Sequence, residues 1–194
     1  MKKIGWGILG AARVNERLMP AIVQSDLGEL IAIGSRRAGA SRECLLKHLP
    51  RYEDKVSCFD GFDQVINHKK VDVIYIPLAN EEHTEVALKA LRAKKDVLIE
   101  KPMAIKSEEV KILIKEATKN NVKIMEGFMY AFHPQFDRIM NTIKSNILGD
   151  INYAHSMFSF PIKPARFYRI NRSIEQGGCL LYTSPSPRDK RQSR

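Results

Sequence analysis

Six short apolar runs rich in β-branched residues punctuate the first 126 residues, at 4–9, 30–34, 56–59, 71–78, 97–100 and 122–125. Runs with no polar alternation must be covered on both faces, and stretches carrying apolar residues at helical spacing lie between them. Leu18, Ile22 and Val23 share one such spacing, and residues 43–48 supply a second segment. Val86, Ala87, Ala90 and Leu91 fall on one face of a helix predicted over 81–93. Ser107, an N-cap type of residue, opens another helix to about Asn120, with Val110, Leu113, Ile114 and Ala117 as its apolar stripe.

Strands that alternate with helices in this way pair in parallel. The expected fold class is therefore α/β, a doubly wound parallel sheet of the Rossmann kind over residues 1–126. After Glu126 the pattern changes to an aromatic-rich turn, a helix to about Asn146 and an alternating strand over 150–160. This reads as the start of an α+β, open-sheet substrate and oligomerisation domain over 127–178, too short to close. From Cys179 onward Ser, Pro and Arg recur without periodicity, a composition that cannot bury a core, so 179–194 is expected to be a disordered, non-native tail.

The net charge of +10 raises the question of nucleic acid, and its distribution answers it. Four basic residues against Asp189 put +3 of the +10 into residues 183–194, and the rest interleaves with acids on helix faces, as at 106–111. No basic stripe alternates with stacking aromatics, so a nucleic-acid partner is not expected. No apolar run approaches the roughly 18 residues needed to cross a bilayer. The Ile4 to Ala12 stretch after Lys2 and Lys3 is short for a signal peptide and lacks an A-x-A site. Cys44, Cys58 and Cys179 have no CxxC spacing, which argues against a zinc knuckle or disulfide scaffold; no metal is expected, and a cytoplasmic location fits.

The first strand ends in Gly10-Ala11-Ala12-Arg13-Val14-Asn15, a degraded G-x-G-x-x-G in which Ala12 and Asn15 replace the second and third glycines. One glycine for the tight turn and a small residue at 12 still let backbone N–H groups reach a pyrophosphate at a helix N-terminus; the alternative is a plain strand-to-helix turn. The second strand ends in Ser35-Arg36-Arg37. An acid there would bond an NAD ribose, whereas Ser35 and Arg36 suit a 2′-phosphate, so the cofactor expected is NADP, with NAD less favoured. The alternative is a solvated basic turn. Pro77 breaks the fourth strand where a ligand crevice should open, followed by Leu78, Asn80 and His83, the last equally readable as a surface histidine at a helix start. Glu100-Lys101-Pro102 ends the fifth strand; adjacent residues point to opposite sides, so one of Glu100 and Lys101 must face the crevice. Pro102 restricts Lys101 to an extended backbone, and a cis bond would fix the lysine further.

Taken together, Gly10-x-Ala12, Ser35-Arg36, the segment 76–83, Glu100-Lys101-Pro102 and the segment 125–130 resemble the Gfo/Idh/MocA oxidoreductases, over residues 3–178. The likeness is greatest to the branch of dihydrodiol dehydrogenases and NADP-dependent sugar dehydrogenases. It implies hydride transfer between NADP(H) and a sugar, polyol or related hydroxy or keto substrate in a homo-oligomer. Lys101 is then the catalytic residue that orients or protonates the reacting oxygen. Gly10, Ala11, Ala12, Arg13, Val14, Ser35, Arg36, Pro77, Leu78, Asn80, His83, Glu100 and Lys101 would line the cofactor. Asn15 stands where Gly or Ala is usual, and Ala131 where Arg is frequent. Gln176-Gly177-Gly178 looks like the start of a family segment that supplies an Asp and a Tyr or His near the substrate, but from Cys179 onward the chain departs from that pattern. The expectation is a C-terminally truncated fragment that binds NADP and turns over negligibly. A non-catalytic, regulatory NADP-binding protein is the alternative.

Overall fold

The computed structural model of the protein describes residues 2–157. The Gly-Gly segment at 176–178, the tail 179–194 and the last three residues of the strand expected over 150–160 lie outside the described residues. Six strands form: β1 (Ile4–Leu9), β2 (Gly28–Ser35), β3 (Ser57–Asp60), β4 (Val73–Ile76), β5 (Asp96–Ile99) and β6 (Ile124–Glu126). All pair in parallel, in the order β3-β2-β1-β4-β5-β6. The helices are α1 (Asn15–Gln24), α2 (Ala40–His48), α3 (Asp63–Ile66), α4 (His83–Arg92), α5 (Ser107–Asn120) and α6 (Pro134–Lys144).

The period-two alternation of each strand divides the core into two layers. Ile8, Ile33 and Tyr75 pack on one face with Met19 and Ile22 of α1 and Cys44 and Leu45 of α2. Leu9, Ile74, Ile76, Val97 and Ile99 pack on the other with Val65 of α3, Val86, Ala87, Ala90 and Leu91 of α4, and Leu113 and Ala117 of α5. Both faces of the sheet are therefore dry, as unbroken apolar strands require. Pro77 directly follows β4, because a residue without an N–H cannot continue the ladder there. The helix expected over 81–93 is a 3-10 turn at Asn80–Glu82 followed by α4.

Three details differ from the sequence reading. Ser107 is the first helical residue of α5, not its N-cap; that place falls to Lys106, whose backbone N–H donates to the Glu109 carboxylate at 3.0 Å. Ile114 is half exposed, because α5 meets the sheet and α4 along the narrower line of Val110, Leu113 and Ala117, and residue 114 lies about 100° round the helix from 113. Residues 150–157 form no strand. A strand needs a neighbour to take its backbone hydrogen bonds, and among the described residues none follows β6. Along 127–157 the large apolar side chains Phe136, Ile139 and Ile143 of α6 are exposed, with Ile147, Leu148 and Ile151 after it. Among the described residues, no helix is long and apolar enough to cross a membrane.

The contrast between neighbours in α5 is measurable by urea unfolding. Leu113→Ala, which empties a fully buried site, is expected to cost about 2–5 kcal/mol, and Ile114→Ala less than about 1 kcal/mol.

Candidate functional site

Because every strand runs the same way, the segments following β1, β2, β4, β5 and β6 emerge along one edge of the sheet. The strand order reverses between β1 and β4, and a crevice opens outside the carboxyl ends at such a point. All the sequence-predicted site residues fall on this edge or in the first turn beyond it.

The turn after β1 is built on Gly10, whose φ of +116° suits glycine and whose added Cβ would stand 2.8 Å from the Leu78 side chain. Its N–H donates to the Gly34 carbonyl at 2.7 Å, which ties the turn to the end of β2. Among the described residues, no acceptor takes the backbone N–H groups of Ala12, Arg13 and Val14, which precede α1. Asn15 completes the turn in a way the glycine fingerprint did not foresee. Its side chain is fully buried and its Nδ2 donates to the Gly10 carbonyl at 2.9 Å and toward Cys44 Sγ at 3.4 Å. The residue in the third glycine's place thus holds the first glycine's peptide, and its Oδ1 is buried without a partner among the described residues.

At the end of β2, Ser35 is buried and Arg36 exposed. The Arg36 guanidinium pairs with the Glu82 carboxylate and lies 5.7 Å from the Phe62 ring centroid. Arg37 turns away to Glu43, through bonds of 3.3 and 2.5 Å. The basic pair is therefore not simply solvated, and only Arg36 leans toward the crevice.

Past β4, Pro77 and Asn80 are buried and Leu78 lies against the Gly10 turn. His83 is fully buried, which removes the surface-histidine alternative. Its Nδ1 stands 2.8 Å from the Pro102 carbonyl oxygen and its Nε2 3.2 Å from the Leu78 carbonyl oxygen. A carbonyl only accepts, so the ring is the donor in whichever of these contacts is a hydrogen bond, and the shorter one joins the start of α4 to the loop after β5.

Glu100 continues the alternation of β5 onto the Tyr75 side, and the Tyr75 hydroxyl donates to its Oε1 at 2.8 Å. Burial first, and then the neighbouring Glu100 carboxylate, push the Tyr75 phenol well above its ordinary value. Lys101 follows, half-buried, with a cis peptide bond to Pro102. Every residue around it is fastened: the Glu100 N–H to Ile76 O at 3.0 Å, Pro102 O to His83, and the Met103 N–H to Glu126 Oε1 at 2.7 Å. The backbone that carries Lys101 is held from β4, α4 and β6 at once. Tyr75, Glu82, Phe62 and Glu126 were not singled out in the sequence. A tyrosine inside an apolar strand does signal a need for a buried acceptor; the other three depend on tertiary contacts alone.

A turn offering unspent N–H groups at a helix start fits a dinucleotide diphosphate, and a serine with an arginine one strand away fits a phosphorylated ribose. Comparison with known proteins agrees with this geometry. A family model described as "Oxidoreductase family, NAD-binding Rossmann fold" (GFO_IDH_MocA) matches residues 4–128. The dTDP-3,4-didehydro-2,6-dideoxy-alpha-D-glucose 3-reductase of Actinomadura kijaniata is 30% identical over 176 residues, which cover 90% of this chain and 51% of that protein. The trans-1,2-dihydrobenzene-1,2-diol dehydrogenase of Xenopus laevis is 27% identical over 181 residues, covering 91% and 52%. Among solved structures, a mutant of KijD10, a 3-ketoreductase from Actinomadura kijaniata, in complex with TDP-benzene and NADP superposes with a TM-score of 0.81 at 29% identity. That match covers 93% of this chain and 54% of the other. The chain spans about half the length of the curated relatives it matches.

Two outcomes test the interior of this edge. Asn15→Asp keeps the shape but loses the donors and sets an acceptor against the Gly10 carbonyl, so chemical unfolding should show a loss of about 2–3 kcal/mol. Below pH 10 Tyr75 holds its proton folded or unfolded; above it the unfolded chain loses that proton while the folded chain keeps it, so stability falls as pH rises. Unfolding free energies measured from pH 9 to 11 should fall less steeply in Tyr75→Phe than in the unaltered protein.

Proposed function

The chain belongs to the Gfo/Idh/MocA oxidoreductases, and from that premise we propose that the whole protein is an NADP(H)-dependent oxidoreductase of a sugar-like hydroxy or keto carbon. The observation that carries the reading is the meeting of three features on one sheet edge: the open amides after β1, Ser35 with Arg36 after β2, and the fastened Lys101 after β5. The Ala12, Arg13 and Val14 N–H groups would hold the diphosphate, and Ser35 and Arg36 the 2′-phosphate. Pro77, Leu78 and Asn80 form the wall between the adenosine and nicotinamide ends. His83 and Glu100 serve the site from beneath, by holding the loop after β5 to the start of α4 and to β4. The bound cofactor supplies or accepts the hydride.

Reduction of a carbonyl carbon leaves its oxygen in need of a proton, and oxidation of an alcohol requires that proton's removal. A lysine ammonium held at a fixed place at the crevice polarises the C–O bond and donates to the oxygen as negative charge develops there. A sugar-type substrate is supported by the 3-reductase of a dTDP-sugar among the relatives and by the TDP-benzene bound to KijD10. The remaining pocket wall belongs to the residues after Glu126.

Titration of the chain with NADPH, followed by cofactor fluorescence, should show saturable binding that Arg36→Ala weakens about tenfold or more. In the whole protein, Lys101→Ala should lower hydride transfer by about 10²-fold or more with little change in NADPH affinity. Absence of NADPH binding, or full turnover by Lys101→Ala, would contradict the reading.

A further inference from the structure

The carboxyl ends of β2 and β4 flank that of β1, and at the usual strand spacing they stand roughly 10 Å apart. Arg36, just past β2, bridges this gap to Glu82, the residue before α4. Its guanidinium passes beside Phe62, which packs on the same side of the sheet as α3 and α4. The ion pair thus lies as a strap across the crevice at the point where the strand order reverses. The two ends of the strap are unequal. The Glu82 side chain is 19% exposed and the Arg36 side chain 65%, so the carboxylate is seated and the arginine is the part that swings.

We propose that the Arg36–Glu82 ion pair is a latch across the crevice that an entering dinucleotide must open, so that Glu82 holds down the affinity for NAD and NADP alike while the Arg36–phosphate contact sets the preference between them. The inference rests on the NADP reading and adds a second role for Arg36. An adenosine entering between the ends of β2 and β4 takes the guanidinium off Glu82. A 2′-phosphate gives Arg36 a charge-assisted partner in return, whereas a 2′-hydroxyl offers far less. The free energy of the pair is therefore subtracted from the binding of both, and NADP alone gains the Arg36–phosphate contact in return. A cost common to both cofactors leaves their ratio unchanged, so Glu82 lowers both affinities and the Arg36–phosphate contact alone separates them.

The test is calorimetric titration of the 194-residue chain, E82Q, R36A and the double variant with NADP, with NAD and with adenosine 2′,5′-bisphosphate, circular dichroism serving as the check that each is folded. Both side chains stand outside the core. NAD should bind about three- to fivefold more tightly to E82Q and to R36A alike, the range of a partly exposed ion pair. The double variant should gain no more than either single one, because all three remove the same pair. NADP and the bisphosphate should bind more tightly to E82Q and at least about tenfold more weakly to R36A. NAD affinity that is unchanged or weakened in both single variants, with NADP still weakened in R36A, overturns the latch and leaves the NADP reading standing. NADP affinity indifferent to R36A, or no binding of either nucleotide to the unaltered chain, overturns both.

Discussion

Parallel pairing of β1 with β2 on one side and β4 on the other is the constraint on which the rest depends. It sets every strand's carboxyl end on one edge and makes the sheet wind outward in both directions from β1. A crevice at that edge is a consequence of connectivity, before any side chain is considered. The burial of Ile8 on one face and Leu9 on the other holds β1 in the middle of the molecule. Without both layers the edge would have no fixed geometry to offer a ligand.

On this frame the site is secured mostly by groups that need not touch a ligand. Asn15 ties the Gly10 peptide down, and His83 joins the start of α4 to the loop after β5. Tyr75 pins Glu100, and Glu126 pins Met103. The His83–Pro102, Tyr75–Glu100 and Met103–Glu126 bonds each span two segments that the chain brings together only on folding. Along the crevice edge lie the groups proposed to meet the ligand. These are the amides of 12–14, Arg36, and Lys101 on its braced backbone.

The strands were legible because β-branched runs bounded by Gly10, Pro77 or Pro102 have few other solutions, and α4 because Val86, Ala87, Ala90 and Leu91 repeat at its period. The four-residue α3 was too short to show a period, and Ile114 fooled the stripe because helix periodicity marks a face without its width. Residues 150–157 of the strand expected over 150–160 show the other limit: alternation states a willingness to pair, and among the described residues no partner strand lies beside them. At the site, Gly10, Ser35, Arg36 and Lys101 were visible as types suited to anionic and carbonyl groups. Asn15 read as a defect in a glycine pattern, and only its burial against the Gly10 carbonyl turned it into a structural device. Glu82 carried no local signal, since its importance comes from Arg36 reaching it from two strands away.

The proposed dinucleotide lies over the turn after β1 with its adenosine end toward Arg36. Amide NMR of the isotopically labelled chain during NADP addition tests it most directly. The backbone signals of Ala12, Arg13 and Val14 and the guanidinium signal of Arg36 are expected to shift together and saturate at one nucleotide per chain. Saturable shifts confined to α6 and residues 148–154, with those of the β1 turn unmoved, would contradict it.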